Sequence, residues 1–330
     1  MKKLLILGGT QFIGRNLVER LQKEDDFELT LFNRQMTGAE LFQDVQKIKG
    51  DRSTDDIQQI AGKDWDFIID LSCYFPEDMK GGLEQLSDSV KRYIFISTCS
   101  VYDNQKYQGK MRAEETPVLG CSREEMTDLS PQSYGNRKAE CERILIKSGL
   151  DNVIFRPALV YGPFDHTDRF YYWMHQVKFN DLLLLPDNGD RSFSVTYVED
   201  LAEAIIRALN PGVSGGVYNI ISSPQTSIRE IVNAAAGELG KKVDWINAGP
   251  EFLKASGISE WTDMPLWIDN DYFTYSNQRL QENFDLRLTN LKDSMTVCRK
   301  YYDSLNWHTP AYGLSDQQRI KLIHELETPT

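Results

Sequence analysis

Short apolar runs alternate with longer amphipathic stretches through much of the chain. Leu4-Leu5-Ile6-Leu7 is continuous, stops at Gly8-Gly9, and is followed by Phe12, Ile13, Leu17, Val18 and Leu21 at helical spacing. Strand, tight turn and helix are predicted in that order. Glu28 to Phe32 predicts a second strand. Phe67 to Leu71, Tyr93 to Ile96 and Val153 to Phe155 predict others, separated by helix-length segments at Gly81 to Val90 and Pro131 to Lys147. Continuous apolar strands are buried on both faces, and alternating them with helices builds a parallel sheet covered on both sides. The predicted fold class is α/β, a doubly wound parallel sheet of Rossmann type.

Beyond about residue 163 the alternation weakens and aromatic residues crowd together: Phe170, Tyr171, Tyr172 and Trp173, then Trp261, Trp267, Tyr272, Phe273 and Tyr275. A second lobe is predicted there. Ser192 to Tyr197 and Val217 to Ile221 again read as strands, so the chain is expected to re-enter the first sheet. The predicted division is a dinucleotide-binding domain, residues 1–162 plus about 190–222, and a smaller, discontinuous C-terminal substrate lobe, about 163–189 plus 223–330.

Composition narrows the partners. With 330 residues, 41% hydrophobic and 26% charged, the chain has the make-up of a globular protein that buries its own core. A net charge of -12 sets the whole-protein field against a phosphate backbone, so nucleic acid is not expected as a partner. Five scattered cysteines suggest reduced thiols, and the four histidines show no metal-ligand spacing, so no metal site is expected. The Leu4 to Leu7 run is too short for a signal peptide, and no stretch approaches the length of a membrane span. A soluble, cytoplasmic protein is expected.

The candidate chemistry begins at Gly8-Gly9-Thr10-Gln11-Phe12-Ile13-Gly14, where strand meets helix and backbone N–H groups can hold a pyrophosphate. Gly9 permits the turn and Gly14 a close helix. A fully glycine-rich turn would have a further glycine at position 11, where Gln11 stands. At the end of the second strand, where a carboxylate would take the ribose of NAD, stand Asn33 and Arg34. A guanidinium suits a 2′-phosphate, so NADP is favoured over NAD, although Arg34 also reads as a solvated surface charge. Asp51 is placed for the adenine amino group or is an ordinary turn residue. Tyr134 and Lys138 lie four apart on one predicted helix face, a spacing that chance also produces. An ammonium near a phenol favours the phenolate. Ser97-Thr98-Cys99-Ser100 brings hydroxyls to a strand's carboxyl end, where doubly wound sheets bind ligands.

Five segments in order, GGTQFIG, STCSVY, YGNRK, RPALVYGP and YVEDLA, resemble the extended short-chain dehydrogenase/reductase (NAD-dependent epimerase/dehydratase) family. The closest likeness is to a less typical GGT-x-F-I-G branch that includes chloroplast stem-loop-binding proteins and bacterial reductases. The resemblance implies that Tyr134 is the acid/base, that Lys138 binds the nicotinamide ribose and lowers the tyrosine's pKa, and that Thr98 bonds the reacting oxygen. It implies that Gly8, Gly9, Thr10, Gln11, Phe12, Ile13, Gly14, Asn33, Arg34, Asp51, Leu71 and Pro157 line an NAD(P) cofactor. It also implies Arg191 and Tyr161 as substrate residues and a homodimer built through the helix of Tyr134.

The chain departs from the family's pattern in informative places. Cys99 and Ser100 replace the acidic pair of nucleotide-sugar dehydratases, which disfavours dehydration. Leu159 stands where epimerases commonly have a substrate-binding Asn, and Phe193 where they have a diphosphate-binding Arg. Arg191, two residues earlier, is expected to point the same way as Phe193 through the period-two alternation of a strand. Trp173, His175, Trp261, Trp267 and Tyr272 are candidate ring-stacking walls, though aromatics more often belong to the core. The expected function is an NAD(P)-dependent oxidoreductase or epimerase acting on a sugar-like hydroxyl or carbonyl compound, with nucleotide sugars among the candidates. The alternative is a non-catalytic dinucleotide-sensing or RNA-binding protein on the same fold.

Overall fold

The computed structural model describes residues 1–86, 88–107, 109, 111–269 and 273–328. Twelve strands are named among them: β1 (Lys2–Leu7), β2 (Phe27–Asn33), β3 (Gln46–Lys49), β4 (Phe67–Asp70), β5 (Arg92–Ile96), β6 (Asn152–Pro157), β7 (Leu159–Tyr161), β8 (Leu182–Pro186), β9 (Phe193–Tyr197), β10 (Gly216–Ile220), β11 (Ser223–Thr226) and β12 (Asp244–Ala248). Seven of them form one sheet in the order β10-β6-β5-β4-β1-β2-β3, and every pairing in it is parallel.

The apolar run of β1 explains why both faces are covered. Side chains alternate along a strand, so Leu4 and Ile6 enter one core while Leu5 and Leu7 enter the other. Helices α1 (Phe12–Leu21) and, much later, α5 (Val198–Ala208) close the first face through Leu17, Val18, Leu201 and Ile205. Helices α2 (Pro76–Glu84) and α3 (Tyr134–Lys147) close the second through Met79, Cys141 and Leu145. The helix predicted from Gly81 to Val90 thus starts earlier. Pro76 occupies its first turn, where a missing N–H costs nothing, and Glu77 and Asp78 favour the same end.

The lobe packs α4 (Arg169–Phe179), α6 (Ile228–Leu239), α7 (Pro250–Ala255), α9 (Leu291–Ser304) and α10 (Asp316–Glu327) around an aromatic core that includes Tyr171, Trp173, Trp267 and Tyr302. Trp173 and Trp267 are core residues rather than ligand walls. The strand predicted at Ser192 to Tyr197 exists as β9 but does not join the large sheet. It pairs with β7 and β11 in a sheet of three, because five consecutive buried positions read alike whichever sheet they enter. Only β10 returns to the large sheet, beside β6. There α8 (Gln278–Asn283) and the residue after it cover the edge, with Phe284 against the rings of Phe155 and Tyr218 at 5.6 and 5.0 Å.

Candidate active site

At the carboxyl end of β1, Gly8 and Gly9 adopt φ of 112° and 104°, a region that side chains disfavour. A Cβ at Gly14 would lie 2.7 Å from the Gly9 Cα, so only glycine lets α1 close onto the turn. Position 11 needs no glycine: Gln11 has extended backbone (φ -125°) and is exposed. No side chain caps α1 and no acidic residue lies in its first turn, which leaves its amides for an anion. A cavity of about 560 Å³ opens there, lined by Gly8 through Gly14 and by Asn33, Arg34, Asp51 and Leu71. This cradle fits the pyrophosphate of a dinucleotide. Pro157 lines the neighbouring cavity instead.

The residues at the rim have distinct tasks. Asn33 donates from Nδ2 to the Gly8 carbonyl at 2.9 Å and accepts from the Gln35 N–H at 3.0 Å, so it fastens the turn. Arg34 is exposed, with its guanidinium 3.9 Å from the Asp51 carboxylate. Hydrogen bonds from the Ser53 N–H and hydroxyl hold that carboxyl below its ordinary range. Sequence reasoning missed Arg52, which also lines the cavity and pairs at 2.6 Å with fully buried Asp70, whose other oxygen accepts from the Tyr93 hydroxyl at 2.6 Å. The Arg52 and Asp70 side chains come together from well-separated positions, so no local pattern marks the pair.

Thr98, Tyr134 and Lys138 converge at the carboxyl end of β5. Thr98 donates to the Ser100 hydroxyl at 3.1 Å and accepts from the Ser100 N–H at 3.1 Å. Tyr134 opens α3, and Lys138 follows one turn later. The Lys138 ammonium donates to the carbonyls of Cys73 (2.8 Å) and Ile96 (2.7 Å) and sits 4.1 Å from the centre of the Phe95 ring. Burial lowers its pKa. Burial likewise pushes the Tyr134 phenol well up, with Tyr74 adding to the rise, while the Thr98 hydroxyl and the Arg137 charge draw it down. The contacts of Lys138 fix α3 against β5 and the loop after β4. Arg137, which no sequence pattern singled out, lies over the Phe75 ring at 4.8 Å.

Thr98, Cys99 and Ser100 line a second cavity of about 310 Å³, which shares Phe12 and Ile13 with the first. Its walls are largely apolar, with Leu159, Val195, Phe170, Trp261, Leu266 and Phe273. Tyr161 lines it as well, but its hydroxyl is bonded to the Ser294 hydroxyl at 2.7 Å and its ring stacks on Phe170 at 4.0 Å. Arg191 lies at a separate polar cavity of about 320 Å³, where Asp187 (3.0 Å) and Asp269 (2.9 Å) neutralise it. β9 begins at Phe193, so strand alternation does not extend back to Arg191. His175 packs edge-on against Tyr171 at 5.7 Å and belongs to the aromatic core. Tyr272 lies outside the described residues. Among the described residues no group of His, Cys, Asp or Glu side chains is arranged for a metal ion, and no helix is long and apolar enough to cross a membrane.

Residues 82–220 match the NAD dependent epimerase/dehydratase family. The chain is 27% identical over 251 residues to the chloroplast stem-loop binding protein of 41 kDa b of Arabidopsis thaliana, covering 71% of this chain and 62% of that protein. It therefore spans less than two-thirds of that relative's length. It is 24% identical over 265 residues to the UDP-glucose 4-epimerase of Vibrio cholerae, covering 73% of this chain and 76% of that one. The structure of UDP-glucuronic acid 4-epimerase from Bacillus cereus, in complex with UDP-glucuronic acid and NAD, superposes with a TM-score of 0.69 at 20% identity, covering 92% of this chain and 99% of the other. That likeness establishes a shared fold.

Proposed function

From the premise that residues 82–220 belong to the NAD dependent epimerase/dehydratase family, we propose that the protein oxidises or reduces a hydroxyl or carbonyl carbon of a sugar-like substrate. The observation that supports this reading is that Thr98 lines a cavity adjoining the dinucleotide cradle and its hydroxyl acts on the Tyr134 phenol, with Lys138 anchoring the helix of Tyr134. Gly8 through Gly14 would hold a nicotinamide dinucleotide, which would supply or accept the hydride when bound. The substrate's reacting oxygen lies between the two hydroxyls: Thr98 orients it, and Tyr134 gives it a proton in reduction or takes one in oxidation. Because burial keeps the phenol protonated near neutral pH, Tyr134 is poised as an acid, and its use as a base is favoured at higher pH.

The test mixes NAD- or NADP-loaded protein with hydroxyl and keto sugars, UDP-glucose included, and follows the absorbance of the reduced nicotinamide. A change with at least one substrate is expected. No change with any of them, together with retardation of a stem-loop RNA at moderate salt, would overturn the reading. The net charge of -12 opposes that RNA outcome.

Were the cofactor NADP, its 2′-phosphate would be read at the rim. Exposed Arg34, only loosely held by Asp51, is free to turn onto a 2′-phosphate. Arg34→Ala is expected to weaken NADP binding about tenfold and to leave NAD nearly unchanged, since a charge-assisted hydrogen bond is worth roughly that factor. Calorimetric titration of both dinucleotides measures it, and equal losses would place Arg34 against a part that the two share.

A further inference from the structure

We infer that the substrate taken by the cavity beside Thr98 carries an anionic group, a carboxylate on a compact ring, and that Arg169 holds it. The inference rests on the oxidoreductase reading for what happens at the ring's hydroxyl or carbonyl, but the charge recognition stands on separate residues. Arg169 is the first residue of α4 and lines the same cavity of about 310 Å³ as Thr98 and Ser100. Among the described residues its side chain makes no hydrogen bond and no ion pair. Its guanidinium lies 5.4 Å from the ring centres of both Trp261 and Tyr312, and its Nε is buried without a partner.

The carboxylates nearest in the chain are engaged elsewhere. Asp168 accepts from the Ala311 N–H at 3.0 Å and pairs with His308 at 3.1 Å, and Asp165 accepts from the Thr167 N–H and hydroxyl at 2.9 and 2.8 Å. The other arginines that line this cavity and the dinucleotide cradle have carboxylate partners: Arg52 pairs with Asp70 at 2.6 Å and Arg34 lies 3.9 Å from Asp51. Arg169 also stands where a cation is least welcome. The amino end of a helix already carries partial positive charge, α4 has no acidic residue in its first turn, and the Asp168 side chain does not cap it. Thr167, Arg169 and Phe170 around that turn all face the cavity. A partly buried, unpaired guanidinium costs stability, and an anion entering the cavity removes that cost.

The surroundings define the class of ligand. The cavity is at the small end of the roughly 300–1,000 Å³ typical of small-molecule sites, and Trp261, Leu266 and Phe273 offer apolar faces to a ring. A single weakly hydrated guanidinium matches a carboxylate through two parallel hydrogen bonds. A phosphate dianion would retain an uncompensated charge among these apolar walls.

Calorimetric titration of the NAD-loaded protein with matched pairs, each a hydroxycyclohexane carboxylate and its carboxamide, separates charge from shape; the phosphate ester of the same ring is a third arm. The carboxylate is expected to bind about tenfold or more tightly than the amide and more tightly than the phosphate. Arg169→Gln should abolish the difference, and R169K should restore part of it, since lysine keeps the charge without the fork. Y134F should keep the preference intact, because binding of the charged end does not need the proton-transfer group. Equal binding of acid and amide to the unaltered protein, a preference that survives R169Q, stronger binding of the phosphate, or binding of no pair at all would each overturn the assignment. A retained charge preference with no change in nicotinamide absorbance for any substrate of the unaltered protein would count against the oxidoreductase reading instead.

Discussion

Tyr134→Phe is expected to reduce turnover by about 10²–10⁴-fold while leaving dinucleotide affinity and melting behaviour close to those of the parent. The substitution removes one oxygen from a side chain whose ring lies 6.3 Å from that of Tyr74, so packing is preserved and only the proton carrier is lost. The pH profile adds a second check. Burial raises the phenol's pKa, so oxidation of an alcohol, which needs the phenolate, should accelerate as the solution becomes alkaline, whereas reduction of a carbonyl should not. Steady-state kinetics in both directions across pH measures this. A phenylalanine variant that retains turnover would remove Tyr134 from the chemistry.

The largest expected effect on stability lies behind the dinucleotide cradle. Asp70→Asn leaves Arg52 buried without its counter-charge, and breaking a buried pair in this way costs about 3–5 kcal/mol. Burial alone would raise the Asp70 carboxyl, but the charge and hydrogen bond of Arg52, with the Tyr93 hydroxyl, hold it below its ordinary range. A depressed folded-state pKa means that the carboxylate stabilises the protein above the unfolded-state value of about 4. The contribution disappears as pH falls through the lower, folded-state value. Urea unfolding should therefore separate parent and variant widely at neutral pH and progressively less in acid. A constant gap across that range would mean that the pair's charge is not what stabilises it.

What the sequence disclosed was what is local. The β1 run, the glycine turn and the helix after it follow from adjacent residues. Tyr134 and Lys138 are visible because one helical turn brings them together. The groups that fix Lys138 are not adjacent: the carbonyls of Cys73 and Ile96 lie 65 and 42 positions away, and only the folded sheet brings them to it. The same holds for Arg52 with Asp70. Arg191 and its partner Asp269 are likewise far apart in the chain. Arg169 drew no notice because an arginine's lack of a partner is a property of everything around it. The sheet of β7, β9 and β11 was hidden for another reason: burial on both faces marks a strand without naming its neighbours.

The return of β10 to the large sheet also sets an order of assembly. During synthesis β6 emerges with one edge unpaired, and it stays so until the chain has passed through β7, α4, β8, β9 and α5 and reached Ile220. Phe155 then waits for Phe284, later still, to cover its ring. An exposed parallel edge is a template for pairing with other chains, and slowly completed sheets are prone to it. The large sheet thus cannot be completed before Ile220 has been made, and a ribosome that pauses before that point holds a chain with an open, aggregation-prone edge.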